Sequence, residues 1–191
     1  MITSIPIASL ITSTVAISLF ITKEIRESLK KKKSNKIMLN GLCYMLNEHV
    51  SFNESVINEI LKIKEHVNSD EYDSWSVEYI GDNIYVKFKI KDKSKKGILI
   101  TMPRYDFFEK EIKELSILNK ELFDAVIVCI SAMQNLRTRA TILLAMLHEN
   151  RKGSKTLDEF ITTMYNTIDT NFNPALLSVK NKCKLITDSP N

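Results

Sequence analysis

Apolar and polar positions divide this chain into an uncharged opening, a basic block and a patterned body. From Met1 to Thr22 no side chain is charged, and Lys23 to Lys36 then holds seven basic residues. Beyond Ile37 the apolar positions recur first at helical spacing, then at strand spacing, then at helical spacing again. Leu39, Cys43, Leu46 and Val50 predict one helix. Ser51-Phe52-Asn53-Glu54 reads as a capping box opening a second, with Val56, Ile57, Ile60, Leu61, Ile63 and Val67 inward. The two are expected to form a helical hairpin.

Between Trp75 and Met102 the period falls to two. Val77 and Tyr79, a Gly81-Asp82-Asn83 turn, Ile84 to Ile90, a polar turn through Lys95, and Ile98 to Met102 predict a three-stranded antiparallel meander with one apolar face. After Pro103, a cap at Asp106 to Glu109 opens one long helical tract. It carries a first stripe from Phe108 to Leu122 and a second from Cys129 to Leu147, and stops before Gly153. Residues 125–130, AVIVCI, also fit a buried strand, but the stripe continues past them with no turn signal, which favours helix. Thr156 to Glu159 reads as another capping box, and Asn173-Pro174 as the cap of a last helix. The fold class expected is α+β and mainly helical: an N-terminal transmembrane helix, a helical hairpin, the meander and a C-terminal helical bundle.

The opening segment sets the expected location. An uncharged helix of twenty-two residues is about 33 Å long, close to the hydrocarbon thickness of a bilayer. A secretory signal would place its positive charge before the apolar run rather than after it. A buried core helix is the other alternative, because nine of the twenty-two residues are Ser, Thr or Pro. The division expected is a transmembrane anchor over 1–22, a polybasic juxtamembrane segment over 23–36 and a cytoplasmic α+β domain over 37–191. With all excess Lys and Arg C-terminal of the span, the N-terminus is expected outside the inner membrane and the domain inside. Lys30, Lys31, Lys32, Lys33 and Lys36 would then meet the anionic leaflet, at about 1 kcal/mol each. Ser9, Ser13 and Ser18 would offer small faces for helix–helix contact and a homo-oligomer.

Charge adds one more distinction. The whole chain of 191 residues carries +4, whereas residues 23–36 alone carry +5, which leaves −1 for the rest. General basicity therefore gives no reason to expect nucleic acid. One local exception is the sheet, where Lys87, Lys89 and Lys91 alternate with inward residues about 6.6 Å apart and could meet lipid headgroups or a phosphate backbone. A solvated face that deters edge pairing accounts for the same lysines.

Chemistry-bearing motifs are sparse. The four glycines are isolated, so neither a phosphate loop nor a dinucleotide fingerprint can be written. Cys43, Cys129 and Cys183 lack zinc spacing and are expected as buried free thiols. His49, His66 and His148 sit near the ends of expected helices, and the nearest acidic neighbours of His66, Asp70 and Asp73, fall in a loop. No catalytic residue, cofactor or metal is expected. The function expected is that of a membrane-anchored, protein-binding, regulatory or effector component of an assembly. The alternatives are a tethered nucleic-acid binder using the lysine face, and a membrane-disrupting or signalling effector acting through oligomerisation of its transmembrane helix.

Overall fold

The computed structural model describes the backbone of residues 7–81, 83–90, 95–105, 108–149 and 152–188, and the side chains of 15–81, 83–89, 97–105, 112–149 and 152–188. One helix dominates. Helix α1 runs unbroken from Ile7 to Val67, 61 residues and about 90 Å at helical rise. The expected hairpin is therefore a single helix. Its stripe shows why: Leu39, Cys43, Leu46, Val50, Asn53, Ile57 and Ile60 follow one another at alternating four- and three-residue steps straight through Ser51 to Glu54. A capping box only helps a helix to start, and packing along one unbroken stripe overrides it.

The same continuity corrects the reading of the N-terminus. No helix among the described residues is long and apolar enough to cross a membrane. Along α1 the described apolar stretch, Val15 to Thr22, already contains Ser18 and Thr22, and it runs directly into Lys23, Glu24, Arg26 and Glu27 on the same helix. The transmembrane anchor, the single-pass topology with its N-terminus outside, and the inner-membrane location are overturned. The first six residues lie outside the described part.

Three strands follow, β1 (Tyr72–Ile80), β2 (Asn83–Ile90) and β3 (Lys95–Ile100), paired antiparallel in sequence order. This is the expected meander. The register aligns Val77 with Val86 and Val86 with Ile98, and Tyr79 with Ile84 and Ile84 with Ile100. Alternation then buries Val77, Val86, Phe88, Ile98 and Ile100 on one face. Gly81 makes the first turn at φ +60°, a left-handed conformation that glycine takes without Cβ strain. A register shift between Tyr72 and Ser74 marks a bulge where β1 leaves α1.

The remaining helices are α2 (Phe108–Leu118), α3 (Lys120–Glu149), α4 (Lys155–Thr167) and α5 (Asn173–Thr187). The expected long tract after Pro103 is thus two helices, broken at Asn119. That side chain caps α3, accepting from the Leu122 N–H at 2.9 Å, while its own N–H closes α2 onto the Leu115 carbonyl. Residues 125–130 are helical within α3.

Asn173-Pro174 opens the last helix as expected, with Pro174 in its first turn, but no loop precedes it. A π-helical turn, Ile168–Phe172, joins α4 to α5, with the Asn173 N–H bonded to the Ile168 carbonyl. Proline lacks the N–H an α-turn would need at 174, and the wider turn accommodates it. α5 packs against both α1 and α3, and the meander lies against α1 and the end of α3. The α+β, mainly helical class stands, with the second half of α1 serving as a member of the C-terminal bundle.

Three polar ties hold β1 and the segment after β3 to the helices. Asn53, 1% exposed on the α1 stripe, donates from Nδ2 to the Arg104 carbonyl and accepts the Arg104 N–H at Oδ1, both at 3.0 Å. Two turns further on, Glu59 accepts the Thr101 N–H and hydroxyl at 3.1 Å each. The Trp75 indole N–H donates to the Leu147 carbonyl at 2.9 Å, fastening β1 to the end of α3.

Candidate interaction site

Two regions answer to the residues singled out in the sequence: the exposed half of α1 and the outer face of the sheet. Every residue from Val15 to Ser34 is exposed. This arm of α1 projects from a domain whose packing begins near Leu39 and Leu42. Val15, Ile17, Leu19, Phe20 and Ile21 put large apolar side chains into solvent, Phe20 with 63% of its surface, and Ile25 and Leu29 follow at 56% and 61%.

Helical spacing orders them. Counting back from Leu39 at the steps of the core stripe reaches Lys36, Lys32, Leu29, Ile25, Thr22, Ser18 and Val15. The arm therefore carries its own stripe in register with the core, and Lys32 and Lys36 separate the two. Lys30 to Lys33 are all exposed, and Lys23 pairs loosely with Glu27 one turn on, at 4.0 Å. The stripe is partly apolar, with Val15, Ile25 and Leu29 interrupted by Ser18 and Thr22, and the exposed Lys30 to Lys33 make its C-terminal end positive. Ser18 lies in the arm, where its carbonyl accepts the Thr22 hydroxyl at 2.8 Å. Ser9 and Ser13 lie on the α1 backbone, their side chains outside the described residues.

The sheet face is less basic than its sequence reads. Lys87 forms an ion pair with Glu78 on the neighbouring strand, so one of the two lysines described there is already neutralised. Lys89 is exposed, and Lys91 lies outside the described residues.

The histidines are spread over two helices. His66 closes α1, with Nδ1 2.7 Å from the Lys62 carbonyl and its ring stacked on Tyr72 at 5.0 Å. His49 lies within α1 and His148 in the last turn of α3. Among the described residues no three His, Cys, Asp or Glu side chains form a group able to hold a metal ion. A recess of about 10 Å³ is lined by Ile60, Leu143, Ile161, Met164 and Ile168, with Lys64 and Tyr165 beside them. Lys64 Nζ sits 3.5 Å from the centre of the Tyr165 ring, a cation–π contact with no nucleophile or acid–base pair behind it.

The cysteines differ from one another. All three are free and buried. Cys129 stands alone on α3, and burial pushes its thiol up to about 12. Cys43 and Cys183, 140 positions apart in the chain, are brought into a side-chain hydrogen bond where α5 packs on α1. Their spacing in the sequence holds no sign of this contact. Comparison with protein-family models, curated proteins and solved structures finds no match.

Proposed function

We propose that this protein is a binding component of a protein assembly, acting through the projecting arm of α1. The partner is a helical segment with an apolar face and a cluster of carboxylates near one end. One observation carries this reading: seven large apolar side chains between Val15 and Leu29 are at least half exposed on an ordered helix that the domain does not cover. A concentration of exposed apolar side chains in one segment is characteristic of interaction sites.

The lysine block narrows the partner's chemistry. Lys32 lies on the stripe itself, flanked by the exposed Lys30, Lys31 and Lys33, so two parallel, in-register copies of α1 would oppose like charges there. An acidic partner meets the same positions with attraction. A nucleic-acid reading of the sheet gains nothing from the Lys87–Glu78 ion pair, which removes a cation from that face.

Site-specific photocrosslinking in the full-length protein tests the proposal, with the reactive group placed at Ile25 or Leu29 and at the exposed Ile117 of α2 as background. The expected result is an adduct from the arm positions to one helical, carboxylate-containing segment, lost when Leu29→Asp is added beside a probe at Ile25. Adducts only to lipid, or arm and Ile117 adducts that do not differ, overturn it.

A further inference from the structure

We propose that Cys43 and Cys183 are an oxidisable dithiol that closes into an intrachain disulfide between α1 and α5, locking the C-terminal helix onto the base of the arm. The inference goes beyond the partner-binding reading and does not depend on it. It begins from placement: both side chains are 0% exposed, on two helices packed against each other, and the two thiols are hydrogen-bonded. Cys43 is the second core position after the arm, at the point where α1 enters the domain. Cys183 lies four residues before the last residue of α5.

The two sulfurs are not equivalent. The hydrogen bond from Cys183 holds the Cys43 thiol below its usual range against the opposing effect of burial, and the same bond pushes Cys183 up. That asymmetry belongs to the closed pair, so once α5 opens either sulfur can attack; with Cys43 attacking, Cys183 resolves. A hydroperoxide is the oxidant class. The Cys43 thiolate attacks its terminal oxygen, the O–O bond breaks, and the alkoxide leaves as an alcohol, with a sulfenic acid left on Cys43. Cys183 then attacks that sulfur as its own proton departs, and the displaced hydroxide leaves with a proton as water. Two thiols are oxidised to one disulfide while the hydroperoxide is reduced to alcohol and water.

Access comes from the end of α5. Opening its last turns exposes both Cys183 and the Cys43 it covers to solvent, and the reduced helix can fray there. Closing the disulfide then blocks the opening that admitted the oxidant, so the device latches. Cys129, solitary and with its thiolate strongly disfavoured by burial, is an internal control.

Reduced full-length protein is treated with hydrogen peroxide, quenched in acid, and denatured and alkylated for peptide mass spectrometry. The expected product joins the Cys43 and Cys183 peptides with loss of two hydrogens, reverts on thiol reduction, and leaves Cys129 open to alkylation. Hydrogen exchange at residues 184–187 should slow by about tenfold or more on oxidation. Cys43→Ala and Cys183→Ala should each abolish the joined peptide and the slowing. Sulfinic acid on unjoined cysteines, intermolecular disulfides only, or Cys129 reacting as fast as the pair refutes the dithiol. A joined peptide with unchanged exchange refutes the latch.

Discussion

Replacing Asn53 by alanine tests whether the segment after β3 is held on α1 by one amide. In the folded chain that side chain satisfies both backbone groups of Arg104, at 3.0 Å for each bond, from a position with 1% exposure. Two net hydrogen bonds contribute about 1 kcal/mol each, and backbone groups left without a partner add to the loss, so Asn53→Ala should cost about 2–3 kcal/mol. With a urea m-value of about 2 kcal/mol/M, the unfolding midpoint falls by about 1 M. Asn53→Asp sharpens the test because it keeps the acceptor for the Arg104 N–H and replaces the donor with a carboxylate facing the Arg104 carbonyl. Burial and that carbonyl raise the folded-state pKa of the introduced carboxyl. Its protonated form restores the donor, so the stability recovered is full below the unfolded value near ~3.9 and is lost as pH rises through the folded value. The deficit of the aspartate variant relative to wild type should therefore shrink as pH is lowered from 7 to 4. An alanine variant within about 0.5 kcal/mol of wild type would mean that water replaces the amide at no cost, and would refute the clamp.

Two further outcomes follow from other polar contacts between elements. Trp75→Phe removes the donor to the Leu147 carbonyl and should destabilise by about 1–2 kcal/mol, measured by circular dichroism because the only tryptophan is lost. Glu121 is held below the usual carboxylate range by its hydrogen bond and ion pair with Lys182, which join α3 to α5. With the folded pKa depressed, that contribution is present above the unfolded value near ~4.3 and fades as pH falls through the folded one. The difference in melting temperature between wild type and Glu121→Gln should close in acid and also in high salt, since the pair is exposed. A difference that grows in acid contradicts the assignment.

Where sequence and structure agree, one local rule acts without competition. The meander follows from strict alternation in Ile84, Val86, Phe88 and Ile90, closed by a glycine turn, and nothing else in that stretch favours a helix. The misplaced boundaries all involve two signals in conflict. Ser51 to Glu54 has the letters of a cap, yet it lies inside a stripe that does not pause, and Asn53 spends its amide on the segment after β3, far away in sequence. Asn119 passed unnoticed because the apolar positions on either side of it, Leu118 and Leu122, look continuous, although an Asn before an acidic first turn is the stronger cue.

The π-turn was legible in principle. Met164, Ile168, Phe172 and Leu176 are all buried and stand at three successive four-residue steps, which a regular α-helix cannot keep on one face without a wider turn. At the site, the exposed apolar arm and the lysine block were visible in the sequence, but the reading of them as a membrane anchor was not sustained. The Cys43–Cys183 contact was invisible, because it depends on the packing of two helices at opposite ends of the chain.

The continuity of α1 couples these features physically. A helix that ended at the domain boundary would let the arm swing on a linker, whereas here the residues that face a partner and those that line the core belong to one hydrogen-bonded rod. Gly41 is the only glycine in it, and a lone glycine weakens a helix by about 1 kcal/mol without breaking it. Binding at Ile25 and Leu29, as proposed, would therefore orient the whole domain, and the first core layers below the lysines would carry the load. Cys43 sits in those layers with Cys183 against it. The oxidisable pair thus lies where the arm becomes the core, and its proposed oxidation would stiffen the joint at a distance from Ile25 and Leu29.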